Sequence, residues 1–144
     1  MAVDQGWQRR HPAVSETLHQ AIQRAYRGPV AEKLETLSQY RFSLCLENSV
    51  FDGYVSEKIF DCFFTGTIPI YLGAPDIGKV IPPEAFIDLR RFKGYADLES
   101  FLDSMEVATM RRYVEAAQDF VRSTAYAPFS AECFAQRMVE QLTA

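Results

Sequence analysis

Two short apolar runs, FSLCL (Phe42–Leu46) and IFDCFF (residues 59–64), flank a polar stretch reading ENSVFDGYVSEK, residues 47–58. The first run is short enough for a buried strand. The second places Ile59, Phe60, Phe63 and Phe64 at i, i+1, i+4 and i+5, which is one face of a helix. A polar loop running from a buried strand end to a helix start is where α/β proteins hold anionic ligands. This strand–loop–helix unit constrains the fold more than any other part of the chain.

The flanking pattern extends the unit. A strand is expected over residues 41–47, a helix over Glu57–Thr65 with Gly66 as its C-cap, and a strand over residues 67–72 (TIPIYL). Gly73-Ala74-Pro75 turns the chain. A short helix is expected at residues 76–80, then the breakers Pro82 and Pro83, then a short strand at residues 85–89. Strand, helix, strand, helix, strand in alternation argues for parallel strands joined by right-handed crossovers, an α/β fold.

The ends read as helices. Before the unit, residues 13–27 carry Val14, Leu18, Ala21, Ile22 and Ala25 on one face, stopped by Gly28-Pro29. A short helix over residues 31–39 is expected to turn Leu34 and Leu37 inward. After the unit, Tyr95, Leu98, Phe101, Leu102 and Met105 form one stripe. Val107, Met110, Val114, Ala117 and Val121 form another, over residues 106–123. Ser130 is placed to cap a last helix whose Phe134, Met138, Val139 and Leu142 are expected to face the core. Residues 1–12 are polar and irregular. The resulting division is a connecting segment with a helix over residues 1–29, and one α/β domain over residues 30–144.

Composition excludes several classes. The formal net charge is −4, and no basic block is present, which argues against a nucleic-acid partner or an anionic membrane surface. No apolar run is long enough to span a bilayer, and the first residues do not begin a signal peptide. The expected location is cytoplasmic, with any membrane association coming from regions outside this chain. Cys45, Cys62 and Cys133 are scattered in apolar surroundings and read as buried free thiols of a reducing compartment. His11 and His19 lie far from any cysteine pair, so no zinc site is expected. Neither the GxxxxGK phosphate loop with its following Ser or Thr nor GxGxxG occurs.

The loop itself carries the candidate chemistry. Lys58 falls in the first turn of its helix, where the dipole and open N–H groups repel a cation. Either an anion sits between the lysine and the helix end, or the lysine is solvated and paired with Asp61 or Glu57. Ser56 reads as an N-cap, and Gly53 as a backbone position other residues avoid. Asn48 and Ser49, just past the strand end, either meet phosphate oxygens or satisfy the turn's own backbone. Tyr54 can stack on a ligand or hydrogen-bond to it. Glu57 can accept from ribose hydroxyls, and Glu47 ends the strand at its carboxyl edge.

Residues 40–75, YRFSLCLENSVFDGYVSEKIFDCFFTGTIPIYLGAP, closely resemble the donor-binding motif of the α-1,3/1,4-fucosyltransferases of glycosyltransferase family 10. That motif runs Y-K/R-F-x-L/F-x-x-E-N-S, a spacer, Y-V-T/S-E-K, an apolar helix, then G-T/V-V/I-P-I/V-Y-x-G. Every fixed position is met, and Ser56 stands where threonine is commoner. A weaker likeness extends over residues 30–140.

The resemblance implies a Rossmann-like parallel sheet with flanking helices, the carboxyl-terminal half of a GT-B glycosyltransferase, incomplete at its N-terminus with an exposed edge or apolar surface. It implies GDP-fucose as donor, with transfer of L-fucose and inversion to a hydroxyl of a GlcNAc or glucose unit in a glycan acceptor. Glu47, Asn48, Ser49, Tyr54, Glu57 and Lys58 match donor-lining positions, Lys58 at the diphosphate and Glu57 at the ribose. No cofactor is required, a divalent cation being at most stimulatory, and no metal ligand is expected. No catalytic base is expected in this chain, because the family's base lies in an acceptor-binding domain missing here. The alternative is a non-catalytic nucleotide-sugar-binding remnant or module needing a separate acceptor domain. A third is a related transferase using another sugar nucleotide.

Overall fold

The computed structural model describes residues 16–143. The readings of residues 1–15, His11 and Val14 among them, lie outside the described residues, as do the side chains of Leu18 and His19. The chain divides into two compact units between Ala31 and Glu32. The first contains helix α1 (Glu16–Ala25), followed by Gly28 at φ 92°. The second carries everything that follows.

Its centre is a three-stranded sheet, with β1 (Phe42–Leu46), β2 (Ile68–Leu72) and β3 (Ile87–Asp88) in the order β1-β2-β3. Both pairings are parallel, with Phe42 opposite Ile68 and Ile70 opposite Ile87. Helix α2 (Lys33–Leu37) precedes β1, and α3 (Glu57–Thr65) crosses from β1 to β2. Past β3 come α4 (Tyr95–Asp103), α5 (Val107–Arg122) and α6 (Ala131–Thr143).

β2 is central and four of its five residues are buried, although it contains Pro69. Strand N–H groups alternate sides, and the Ile68 N–H donates to Arg41 O on the β1 side at 2.9 Å. The Pro69 nitrogen therefore faces β3, whose ladder starts only at the next residue. No hydrogen bond is forfeited. β3 is shorter than the strand expected over residues 85–89, because Asp88 accepts from Arg90 N–H at 2.9 Å and curls the chain into a 3₁₀ turn (Leu89–Arg91). The expected helix at residues 76–80 is likewise a 3₁₀ turn (Ile77–Lys79).

Both sheet faces are covered. Cys45 and Tyr71 pack against Ile59, Phe60 and Phe63 of α3 and Ala117 and Phe120 of α5. On the other face, Ile68, Ile70 and Ile87 meet Leu98 of α4, with Phe101 and Met110 around them. Gly66 ends α3 in the left-handed conformation, φ 71°, as its C-cap role requires. Among the described residues β1 is an edge strand, and Leu44 and Leu46 on it are exposed.

Several burial expectations fail. Phe134, Met138, Val139 and Leu142 of α6 are exposed, Leu142 at 81%. α6 packs chiefly on the 3₁₀ turn before it (Thr124–Phe129), so among the described residues no layer covers its apolar stripe. Leu34, Phe64, Tyr95 and Val107 are exposed too, and Cys133 is only half-buried. Ser130 does cap α6, accepting from the Cys133 N–H at 3.2 Å.

Candidate functional site

The sheet's carboxyl edge gathers Glu47 after β1, Gly73 after β2 and Asp88 at the end of β3. The β1–α3 loop lies over that edge and is held at both ends. At its tip, residues 51–54 make a turn closed by Tyr54 N–H to Phe51 O at 3.2 Å. Gly53 sits there at φ 77°, a conformation that disfavours side chains. Its N–H donates to Asp76 Oδ1 at 2.8 Å, tying the tip to the turn after β2. The Tyr71 hydroxyl, carried by a fully buried ring, accepts from Ala74 N–H at 3.0 Å and donates to Tyr54 O at 3.4 Å.

At its base the loop is held by Glu47, whose side chain is fully buried. The carboxylate accepts from Ser56 N–H (2.8 Å), Ser56 Oγ (2.6 Å) and Lys58 Nζ (3.1 Å). Lys58 Nζ also donates to Ser56 Oγ at 3.0 Å, which closes a triangle of three polar groups. Burial pushes the Glu47 carboxyl up. The hydrogen bonds from Ser56 and Lys58 outweigh it and hold the carboxyl below its ordinary value. The hydrogen bond to Glu47 raises Lys58 in turn.

This changes the expected roles. Glu47 does not present a free carboxylate to a ligand, since its side chain is fully buried and turned to Ser56 and Lys58. Ser56 occupies the N-cap position, yet its side chain makes no capping bond because it serves Glu47 instead. The first turn of α3 is therefore left without a side-chain cap. Lys58 pairs with neither Asp61 nor Glu57. Asp61 is taken by Lys33 at 2.5 Å, and Glu57 is exposed with Lys33 at 3.8 Å. The lysine's place in the helix's first turn is explained by the buried carboxylate behind it. An ammonium has three N–H donors, and among the described residues two of them find acceptors. The third, and the open amides of α3, are what an anion can use.

Of the remaining loop positions, Asn48 and Ser49 are exposed just past the strand end. Tyr54 is half-buried, its ring tilted against Phe51 with centroids 4.8 Å apart. Sequence reasoning missed Tyr71, Gly73, Asp76 and the Asp88–Arg90 pair. Gly73 is forced, because a Cβ there would collide with Glu47 Cγ and the Tyr71 hydroxyl. Arg90 grips Asp88 with both Nε and Nη2, and donates to Pro75 O at 3.2 Å. Tyr71 had a legible signal: a tyrosine in an otherwise apolar buried strand needs a partner for its hydroxyl. Among the described residues no cluster of His, Cys, Asp or Glu is placed to hold a metal ion.

Residues 14–137 match the family model described as glycosyltransferase family 10 (fucosyltransferase), C-terminal. The chain belongs to this family. It is 44% identical over 73 residues to an α-(1,3)-fucosyltransferase of Helicobacter pylori, a match covering 51% of this chain and 15% of that protein. The fold is similar to a crystal structure of an α1,3-fucosyltransferase with GDP, with TM-score 0.55, 36% identity, and coverage of 66% of this chain and 28% of the other. It is similar also to one with GDP-fucose, with TM-score 0.54, 35% identity and coverage of 65% and 27%. The chain thus spans about a quarter or less of the relatives it matches. The parallel sheet with flanking helices agrees with those structures. Among the described residues no helix is long and apolar enough to cross a membrane.

Proposed function

We propose that this domain binds GDP-fucose over the start of α3 and supplies the donor half of a fucosyl transfer to a glycan hydroxyl. The observation that carries the reading is the Glu47–Ser56–Lys58 triangle. It holds an ammonium with an unused donor beside the uncapped first turn of a helix. Such a site suits a diphosphate. Lys58 and the α3 amides offset the charge that develops on GDP as the fucosyl bond breaks. The positive charge comes from the chain itself, so no metal cofactor is required in this reading, and a divalent cation at most stimulates. Glu57, exposed beside Lys58, takes the ribose hydroxyls, and Tyr54, Asn48 and Ser49 line the donor. Glu47 acts one step removed, by positioning Lys58.

Transfer with inversion needs a base on the acceptor hydroxyl. That base is assigned to an acceptor-binding domain beyond the donor domain, consistent with the small share of each relative that the chain matches. A second reading uses the same donor site in a nucleotide-sugar-binding module that works only with a separate acceptor polypeptide. A cytoplasmic setting fits the unbridged thiols of Cys45 and Cys62.

Titration calorimetry with GDP, GDP-fucose and GDP-mannose tests the donor site. The expected result is binding of the guanosine diphosphates that falls roughly ten- to a hundredfold in Lys58→Ala. Equal binding by the folded variant refutes the site. GDP-mannose binding as tight as GDP-fucose would shift the reading to another sugar nucleotide. Fucose transfer by the isolated chain, followed by GDP release, separates the enzyme from the module.

A further inference from the structure

The two buried thiols lie directly behind the donor loop. Cys45 is on β1, two residues before Glu47, and Cys62 is on α3, one turn after Lys58. Their sulfurs are 3.4 Å apart, and both side chains are almost wholly buried. Cys45 Sγ lies 3.5 Å from Lys58 O as well. The pair therefore joins the two elements that carry the site's buried carboxylate and its ammonium.

We propose that Cys45 and Cys62 are a dithiol site that hydrogen peroxide closes to a disulfide, stapling β1 to α3 beneath the loop. The chemistry balances without a further reductant or oxidant. The Cys62 sulfur attacks one peroxide oxygen as a thiolate, the O–O bond breaks, and water leaves with the thiol's proton, giving a sulfenic acid. The Cys45 sulfur then attacks the Cys62 sulfur, the S–O bond breaks, and a second water carries off the remaining proton. Two thiols and one peroxide become one disulfide and two waters. The geometry favours Cys62 as the first nucleophile. Hydrogen bonds from Cys45 and Ser43 pull its thiol down, while the same contact and burial push Cys45 up. Both sulfurs are buried, so in this proposal peroxide reaches them through local opening of the domain. Cys45, in contact with Cys62, then captures the sulfenic acid.

Closing a loop of this length removes enough unfolded-chain entropy to raise Tm by roughly 10 °C. The test uses the whole chain carrying Cys133→Ser, so that the half-buried third cysteine contributes nothing. After peroxide and quenching, intact-mass spectrometry should show loss of two hydrogens, peptide mapping should link Cys45 to Cys62, and Tm should rise until dithiothreitol reverses it. Cys45→Ala in the same background should instead gain oxygen atoms at Cys62 and show no rise in Tm. Oxygen gain at Cys45 or Cys62 without cross-linking in the two-thiol protein, or both thiols left free under peroxide that oxidises its methionines, overturns the proposal. These readouts do not involve GDP, so they fail or succeed independently of the donor reading.

Discussion

Glu47→Gln isolates what the buried carboxylate does. The substitution preserves shape and removes charge. Every partner of the carboxylate is a donor: Ser56 N–H, Ser56 O–H and the Lys58 ammonium. The glutamine oxygen can serve one or two of them. Its NH₂ must then face a donor, and the Ser56 hydroxyl can accept from it only by turning its own hydrogen away and losing the acceptor it has in Glu47. At least one charge-assisted bond is lost and one fully buried donor is left unpaired, a cost of about 2–4 kcal/mol. Urea unfolding followed by far-UV circular dichroism reads this as a fall in midpoint at constant slope. GDP titration of the remaining folded protein should show weakened binding as well, because Lys58 loses the group that holds it. A variant with wild-type stability and weakened GDP binding would refute the reasoning. That pattern belongs to a carboxylate facing the ligand, which is where the sequence motif alone places Glu47.

Three further outcomes follow from the same geometry. Gly73→Ala should destabilise by about 1–3 kcal/mol in the same urea assay, since its Cβ must displace Glu47 and the buried Tyr71 hydroxyl together. Acid should unfold the domain partly through Glu47: its folded value lies below the ordinary 4.5, so its stabilisation is complete above that value and disappears as pH falls through the lowered one. A pH series of urea midpoints should therefore be flatter at its acid end in Glu47→Gln. Leu142→Ser should change the unfolding free energy by less than about 0.5 kcal/mol, because that side chain is 81% exposed. A large loss there would mean that α6 packs against the core after all.

What was legible in the sequence was local. The α3 bounds, the αL glycine that ends it and the parallel strand pair come from patterns complete within a few residues of one another. What failed depended on partners distant in sequence. The stripe on α6 has helical period, but a period says only that residues share a face, not that another layer covers it. Ser56 had the right type and place for an N-cap, and the carboxylate of Glu47, nine positions away, outcompeted the helix for its hydroxyl. Lys58 lies next to the carboxylates of Asp61 and Glu57 on the helix, which is why the sequence points to them as its partners. Its partner came from the preceding strand, and Asp61 went to Lys33 on α2.

That partner choice bears on how the site can work. A lysine whose only counter-ion sat on the helix surface would have to leave it to reach an incoming phosphate. Lys58 does not. Two of its donors are committed to Glu47 and Ser56 and aim the ammonium, while the third has no acceptor among the described residues. An anion arriving over the α3 start completes the set without breaking either bond. The side-chain ordering that binding would otherwise cost has been met in folding, at the expense of a buried carboxylate that has to stay ionised. In the proposed donor site Glu47 also lessens the net attraction for a diphosphate by partly neutralising Lys58. The remaining attraction then depends more heavily on the α3 amides, which Ser56, by turning its hydroxyl to Glu47, leaves uncapped.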